Sequence, residues 1–503
     1  MTISQLLKKI SPRCIQGPVD VEVTGLFYDS RRVQPGGAFF ALRGQEVDGH
    51  RFIDDALARG AGCIFLEEER SLPAGVAGVV VQDCRRAMAQ AAVAYFGDPT
   101  AFMPVVGVTG TNGKTTVTYL VESILHAAGR KPAVLGTINY RCGSRSMPAP
   151  HTTPESVDLL GTLDVFRREG ADALVAEVSS HALDQQRVAG VQFDVGVFTN
   201  LTPEHLDFHG SMENYFASKE ALFSFRKEGQ NIQAVVNVDD PYGARLAARL
   251  SEALTCSTEG EALIRPRRFT LSLEGVEATV DTPRGPLELR SPLLGKFNLQ
   301  NLLCAVGAGI ALDLPLETVA RGLAAAPAVP GRLERIENDR GALILVDYAH
   351  TGDALEKVLS TLIDLSPRRI LALFGCGGDR DRSKRPVMGE VGSRLSDLAI
   401  LTSDNPRTED PLAILEEVRV GALRVHSREW SREEAAASQG KGFIVIPDRR
   451  EAIRFAVSTL TSGDLLLVAG KGHEDYQIVG RQRFHFDDRE ELRRELTRLE
   501  VSS

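Results

Sequence analysis

The chain has 503 residues, enough for about three domains of ordinary size, each able to bury its own core. Its hydrophobic share of 43% and charged share of 25% exclude a disordered or membrane-embedded chain. A net charge of -9 excludes a dedicated nucleic-acid binder, since no basic face stands out to neutralise phosphates, and leaves small molecules as the expected partners.

From Met1 to Ile10 the chain lacks the long apolar core of a signal peptide, and no later run reaches the roughly 18 apolar residues of a membrane-spanning helix. A cytoplasmic protein without membrane insertion is expected. Cysteines 14, 63, 84, 142, 256, 304 and 376 show no C-x-x-C spacing, which predicts reduced, structural thiols.

The first hundred residues hold short β-like pieces such as Ala38 to Leu42 and a helical stretch around Asp54 to Arg59. They end at the turn cluster Gly97-Asp98-Pro99, which predicts a first domain over residues 1–99. Apolar runs follow at Val105 to Val108, Ala133 to Leu135, Ala173 to Ala176, Val195 to Phe198 and Ala234 to Val238. Runs of this length alternating with helical patterns predict a mainly parallel sheet buried on both faces, over residues 100–330. Two prolines and a glycine in Ala324 to Gly331 mark a linker. A third domain, residues 331–503, repeats the theme at Leu343 to Val346, Ile370 to Phe374, Leu398 to Leu401, Phe443 to Ile446 and Leu465 to Val468. The expected fold class is α/β with three domains: a smaller N-terminal domain, a central mononucleotide-binding parallel sheet and a Rossmann-like C-terminal domain. Ligands of open α/β sheets bind at the carboxyl ends of the strands, so the polar loops after these runs are the candidate sites.

The run ending at Val108 leads into Thr109-Gly110-Thr111-Asn112-Gly113-Lys114-Thr115-Thr116 and then a helical pattern to Ala128. Glycines let backbone N–H groups wrap a phosphate, the helix start adds positive potential, Lys114 reaches the outer phosphates and Thr115 can hold Mg2+. The strict Walker spacing would put glycine at 108, where Val stands. A plain glycine turn before a helix is the competing reading, but strand, loop and helix fall in the order that nucleotide binding demands.

Gly107 to Thr115 resembles the ATP loop of the Mur ligase family, which includes the folylpolyglutamate synthases. Further correspondences follow in order at Thr152-Thr153-Pro154, Glu177-Val178-Ser179-Ser180-His181, Asp184 to Arg187, Glu204 to Gly210, Tyr215 with Lys219, Asn298 to Asn301, Asp347 to His350 and Asp404-Asn405-Pro406-Arg407. They cover essentially the whole chain and lie nearest to the members that add the third peptide residue. The resemblance implies a cytoplasmic step of peptidoglycan synthesis: ATP-dependent addition of meso-2,6-diaminopimelate to UDP-N-acetylmuramoyl-L-alanyl-D-glutamate through an acyl phosphate. An N-terminal UDP-sugar domain, a central ATPase domain and a C-terminal amino-acid domain come with it, and a monomer is expected.

By that resemblance Lys114, Lys219, His205 and Glu177 are catalytic. Thr115 and Glu177 hold one Mg2+ and His205 a second, while Lys219 carries a CO2-derived carbamate that turns a cation into a carboxylate-like ligand. On sequence alone Lys219, in a helical stretch Asn214 to Glu220, reads as a solvated lysine. ATP contacts fall on Gly110, Thr111, Asn112, Gly113, Lys114, Thr115, Thr116, Asn298, Asn301, Arg332 and Asp347. His350 reads equally well as a structural histidine. UDP-sugar contacts fall on Ser30, Gln45-Glu46-Val47, Thr152, Thr153, Ser179, Gln185 and Arg187, with turn capping the competing reading for Ser30.

Diaminopimelate is assigned to Arg380, Asp404, Asn405, Pro406, Arg407, Gly470 and Glu474. A planar guanidinium grips a carboxylate through two hydrogen bonds, and diaminopimelate differs from lysine by such a carboxylate. Glu474 suits the distal ammonium, and a surface turn at Asn405-Pro406 is the competing reading. Two alternatives stay open: a lysine-adding or other Mur or folylpolyglutamate-type ligase, and a regulatory UDP-sugar sensor without catalysis. Intact Lys114, Glu177, His205 and Lys219 weigh against the sensor.

Overall fold

The computed structural model describes all residues except 45, 46, 226–229, 251, 438, 439 and 503. It divides into two compact units: Met1–Arg268 with Ala278–Leu289 and Gln300–Ala326, and Phe269–Glu277 with Arg290–Leu299 and Pro327–Ser503. Each is described by itself.

The first unit contains a five-stranded and an eight-stranded sheet. The N-terminal one has five strands in the order Cys14–Gln16, Ala77–Val80, Cys63–Leu66, Ala38–Phe40, Leu26–Phe27. All pairs are parallel except the outermost, Cys14–Gln16 on Ala77–Val80. The helical stretch read around Asp54 is Ile53–Ala58. The helix Cys84–Phe96 is capped by Asp83 at its start and ends on Gly97, whose φ of 74° supplies the left-handed conformation that glycine adopts without cost.

The larger sheet has eight strands, in the order Leu254–Cys256, Gln233–Asn237, Val195–Phe198, Val105–Thr109, Ala173–Glu177, Pro132–Leu135, Asn139–Cys142, Arg145–Pro148. The first six are parallel, and the last two form an antiparallel hairpin at the edge. Val105–Thr109, buried throughout, stands between Val195–Phe198 and Ala173–Glu177. The chain runs from this strand to Pro132–Leu135 on one side and from the adjacent Val195–Phe198 to Gln233–Asn237 on the other, the switch arrangement that opens a ligand crevice at the strand ends. Side chains of both sheets, Phe40, Phe65, Val105 and Leu174 among them, belong to one continuous core.

The second unit carries a six-stranded sheet in the order Glu334–Ile336, Leu343–Asp347, Asp464–Ala469, Arg369–Phe374, Leu398–Leu401, Gly442–Val445. Only Glu334–Ile336 is antiparallel. Its two faces bury separate cores, one around Leu345, Phe374 and Val418 and one around Ile344, Leu373 and Val457. An unforeseen antiparallel hairpin, Tyr476–Val479 with Gln482–His485, follows the sheet's last strand in chain order.

The mixed α/β architecture with two parallel nucleotide-type sheets is the fold class expected from the apolar runs. The seven cysteines are all free thiols, six of them buried. No helix among the described residues is long and apolar enough to cross a membrane.

Candidate active site

Register places the central residues. Glu177 pairs with Val108 and Phe198 pairs with Thr109, so the chain after each strand emerges beside Gly110. Gly110 has φ 144°, and a Cβ there would lie 1.9 Å from Thr199 Oγ1. Gly113 has φ 86°, and a Cβ there would lie 2.4 Å from Asn301 Oδ1. Both positions need glycine for conformation and for space. The loop is held from the neighbouring strand end: Asn112 N donates to Asn200 Oδ1 at 2.9 Å, and Thr199 Oγ1 donates to Asn112 O at 2.6 Å. The helix Lys114–Ala127 then starts with Lys114, whose Nζ donates to Gly110 O and Thr111 O at 2.9 and 2.8 Å.

Lys219 is buried, contrary to the solvated reading of its sequence. Its helix, Met212–Glu220, packs that face inward, and Nζ donates to Gly110 O at 2.9 Å above the Tyr215 ring. Burial, reinforced by the ammonium of Lys114 and opposed by Glu204, holds its pKa well below the ordinary lysine value.

Glu177 is also buried. Its Oε2 accepts from Thr115 Oγ1 at 3.1 Å and from Thr137 Oγ1 at 2.9 Å, and its Oε1 accepts from Thr137 N at 2.9 Å. His205 sits in a left-handed conformation, φ 55°, with an exposed ring. It packs edge-on against His181, which in turn lies near His209. Burial, with His205 and His209 beside it, pulls His181 down to about 4. Among the described residues no group of three or more His, Cys, Asp or Glu side chains is placed to hold a metal ion. The pair Thr115 and Glu177 nevertheless fits Mg2+, which takes one or two protein oxygens and completes its shell with nucleotide phosphates and water.

Thr152, Thr153, Ser179, Gln185 and Arg187 come together. Thr152 meets Thr137 at 3.1 Å between hydroxyls, and Thr153 Oγ1 donates to Glu177 O at 2.8 Å while accepting from Ser179 N at 3.0 Å. Arg187 donates to Thr153 O and Gln185 Oε1 at 3.0 and 2.8 Å. Its guanidinium also pairs with Glu155 at 3.0 Å, a partner the sequence reading did not name. Ser30 is buried in the 3-10 turn Ser30–Arg32, which Asp29 caps. Gln45 and Glu46 lie outside the described residues.

Of the other nucleotide candidates, Asn301 lies beside Gly113 in the first unit. In the second unit Asn298 Nδ2 donates to Leu294 O at 2.8 Å. Asp347 accepts from Leu333 N and Ala349 N at 2.8 Å each, and burial raises its pKa. Arg332 stacks over Tyr348 at 4.7 Å, and His350 meets Tyr348 O through Nδ1 at 2.9 Å.

The candidate amino-acid cluster lies at the carboxyl ends of the second unit's strands. Asn405 Nδ2 donates to Glu474 Oε2 at 2.9 Å, and Gly470, φ 111°, follows the Asp464–Ala469 strand next to Asp404. Arg407 has φ 51° and is fixed by its backbone to the unforeseen hairpin, N to Ile478 O at 3.1 Å and O from Gly480 N at 2.7 Å. Its guanidinium donates to Gly378 O at 2.8 Å. Arg380, exposed, is not drawn into this cluster and donates to Asp379 O. Lys471, between the assigned Gly470 and Glu474 and given no role by the sequence, is fully buried here.

Strand, glycine loop, lysine and helix define a phosphate-loop α/β protein that binds a nucleotide. Residues 22–96, 108–309 and 331–472 match the family models described as Mur ligase family catalytic domain, Mur ligase middle domain and Mur ligase glutamate ligase domain. The chain is 51% identical to the UDP-N-acetylmuramoyl-L-alanyl-D-glutamate--2,6-diaminopimelate ligase of Geobacter metallireducens, over 98% of each chain. It is 50% identical to the protein of that name from Geobacter sulfurreducens, again over 98% of each. A solved structure of a ligase of the same name superposes with TM-score 0.71 at 32% identity, covering 99% of both chains. The chain belongs to the Mur ligase family.

Proposed function

We propose that this chain is the ATP-dependent amide ligase that adds meso-2,6-diaminopimelate to UDP-N-acetylmuramoyl-L-alanyl-D-glutamate, a cytoplasmic step of peptidoglycan synthesis. The carrying observation is that Glu177 and the buried Lys219 both converge on the phosphate loop, one through Thr115 and one through Gly110 O. The relatives' shared name and near-complete coverage support the same reading.

In this reading the loop N–H groups and Lys114 cradle the ATP phosphates, and Lys114 exchanges its carbonyl contacts for phosphate oxygens. Thr115 and Glu177, with His205 and a carbamylated Lys219, hold Mg2+, which when bound spreads the charge developing on the transferred phosphoryl group. Thr152, Thr153, Ser179, Gln185, Arg187 and Ser30 orient the UDP substrate so that its D-glutamyl carboxylate attacks the γ-phosphate. The acyl phosphate is then attacked by the amine of diaminopimelate, phosphate leaves and the amide forms. No side-chain nucleophile is needed. Arg407 takes the carboxylate that distinguishes diaminopimelate from lysine, and Glu474 takes the distal ammonium.

The test is phosphate release from ATP with the UDP-dipeptide and either meso-diaminopimelate, L-lysine or no amino acid, with Arg407→Ala alongside. Turnover with meso-diaminopimelate alone, lost in the variant, is expected. Turnover with lysine overturns the specificity, and no turnover with either overturns the ligase.

A further inference from the structure

Lys471 is a lysine with no exposed surface at the end of the Asp464–Ala469 strand. Its Nζ lies 3.1 Å from Asp404 Oδ1, donates to Asn405 Oδ1 at 3.1 Å and to Tyr476 O at 2.7 Å, and stands 4.0 Å from Glu474 Oε2. One ammonium thus touches three residues of the recognition cluster and the hairpin that fixes Arg407. A buried lysine is costly unless each proton finds an acceptor. Here the hydrogen-bond acceptors Asn405 Oδ1 and Tyr476 O and the ion-pair partner Asp404 come from two chain segments, and the lysine ties both to its own.

Resting on the recognition cluster proposed above, we infer that Lys471 is a positioning residue for amino-acid selection: it fixes Asp404 and Asn405 and, through both, presents Glu474 to the distal ammonium of the substrate. Asn405 is the mechanical link. Its Oδ1 is occupied by Lys471 and by Ile478 N at 2.9 Å, which turns Nδ2 toward Glu474 and orients the carboxylate. The electrostatic link is charge balance. The charged and titratable groups facing Glu474 are Asp404, Lys471, Arg407, Arg449, Tyr348 and Tyr476. Burial and Asp404 raise its pKa, and Lys471 is the largest opposing influence. Removing the cation leaves two buried carboxylates together, and one of them takes up a proton.

The experiment measures KM for meso-diaminopimelate, ATP and the UDP-dipeptide between pH 6.5 and 8.5 in the full chain and in Lys471→Met and Lys471→Arg. For Lys471→Met the expected result is a KM for meso-diaminopimelate raised roughly 10- to 100-fold at pH 6.5 and falling as pH rises, with the other two KM values unchanged. Lys471→Arg keeps the charge, so its KM should stay flat with pH; it carries the test alone if the methionine variant does not fold. A KM for meso-diaminopimelate within threefold of the parent in Lys471→Met, or a pH-dependent one in Lys471→Arg, overturns the inference. Glu474→Gln separates the two levels. If it leaves that KM unchanged, the recognition cluster itself is wrong; if it raises the KM while Lys471→Met does not, only the role of Lys471 fails.

Discussion

Thr137 holds Glu177 by two hydrogen bonds at once, backbone N to Oε1 and hydroxyl to Oε2, each 2.9 Å. The approach is close because the preceding residue is Gly136, where a Cβ would lie 2.4 Å from Glu177 Oε1. The carboxylate is therefore aimed by a neighbouring loop before any ligand arrives. In Thr137→Val the backbone bond survives and the hydroxyl bond to a charged acceptor is lost, a change of about 1.5–3 kcal/mol. Titrating Mg2+ against steady-state turnover should show a higher Mg2+ requirement and kcat/KM lowered roughly 10- to 100-fold. An unchanged Mg2+ requirement would detach Thr137 from the metal site.

Gly113 and Asn301 are 188 positions apart in the chain and meet at the start of the Lys114–Ala127 helix. Gly113→Ala puts a Cβ into a left-handed conformation unfavourable to alanine by roughly 1–2 kcal/mol, and that Cβ displaces Asn301 from the loop. Binding of a fluorescent ATP analogue should weaken at least about tenfold, with KM for meso-diaminopimelate unchanged. Equal affinity for parent and variant would show that the loop tolerates a Cβ and that Asn301 is free to move.

The loop shape was legible because its chemistry is local: glycines, lysine and threonine follow one strand in order. Lys219 was not, since a lysine between Ser218 and Glu220 in an ordinary helical stretch carries no mark of burial. Only tertiary packing sets its amine on Gly110 O. Thr137 and Lys471 were missed for the same reason, as their partners arrive from other strand ends. A signal was available for Lys471, which stands between Gly470 and Gly472 and three positions before Glu474. Arg380 shows the converse, a residue assigned to the pocket whose side chain stays exposed. The hairpin that pins Arg407 buries none of its strand residues, so no apolar core run marks it and its role could not be read from the sequence.

His473 packs against Tyr348, ring centroids 5.1 Å apart, and its Nδ1 finds no hydrogen-bond partner. Burial, with Arg332 and Arg489 nearby, lowers its pKa to about 3. Between that value and the ordinary 6.5 of the unfolded chain, the unfolded state binds a proton that the folded state refuses. The stability from this group is therefore complete above pH 6.5 and declines as pH falls toward 3, by about 1.4 kcal/mol per pH unit. Trp430, the chain's one tryptophan, lies in the second unit and reports its unfolding. Urea unfolding followed by its fluorescence should show a pH slope shallower by about one proton in His473→Gln. Parallel slopes for parent and variant would place the acid sensitivity elsewhere.

Gly377 leaves the space that the Arg407 guanidinium occupies: a Cβ at 377 would lie 2.9 Å from Nη1, while Nη1 itself donates to Gly378 O at 2.8 Å. The obstacle is the end of a flexible side chain, so Gly377→Ala should fold normally, yet the atom it displaces is the one proposed to grip the substrate carboxylate. KM for meso-diaminopimelate should rise about tenfold while KM for ATP holds. A general disturbance of the loop would give the same single-variant result, so the double variant decides. If alanine at 377 acts by moving the guanidinium, Gly377→Ala adds nothing to Arg407→Ala, and the two effects are non-additive. Additive losses would mean that the loop backbone, not the placement of Arg407, is what Gly377 protects.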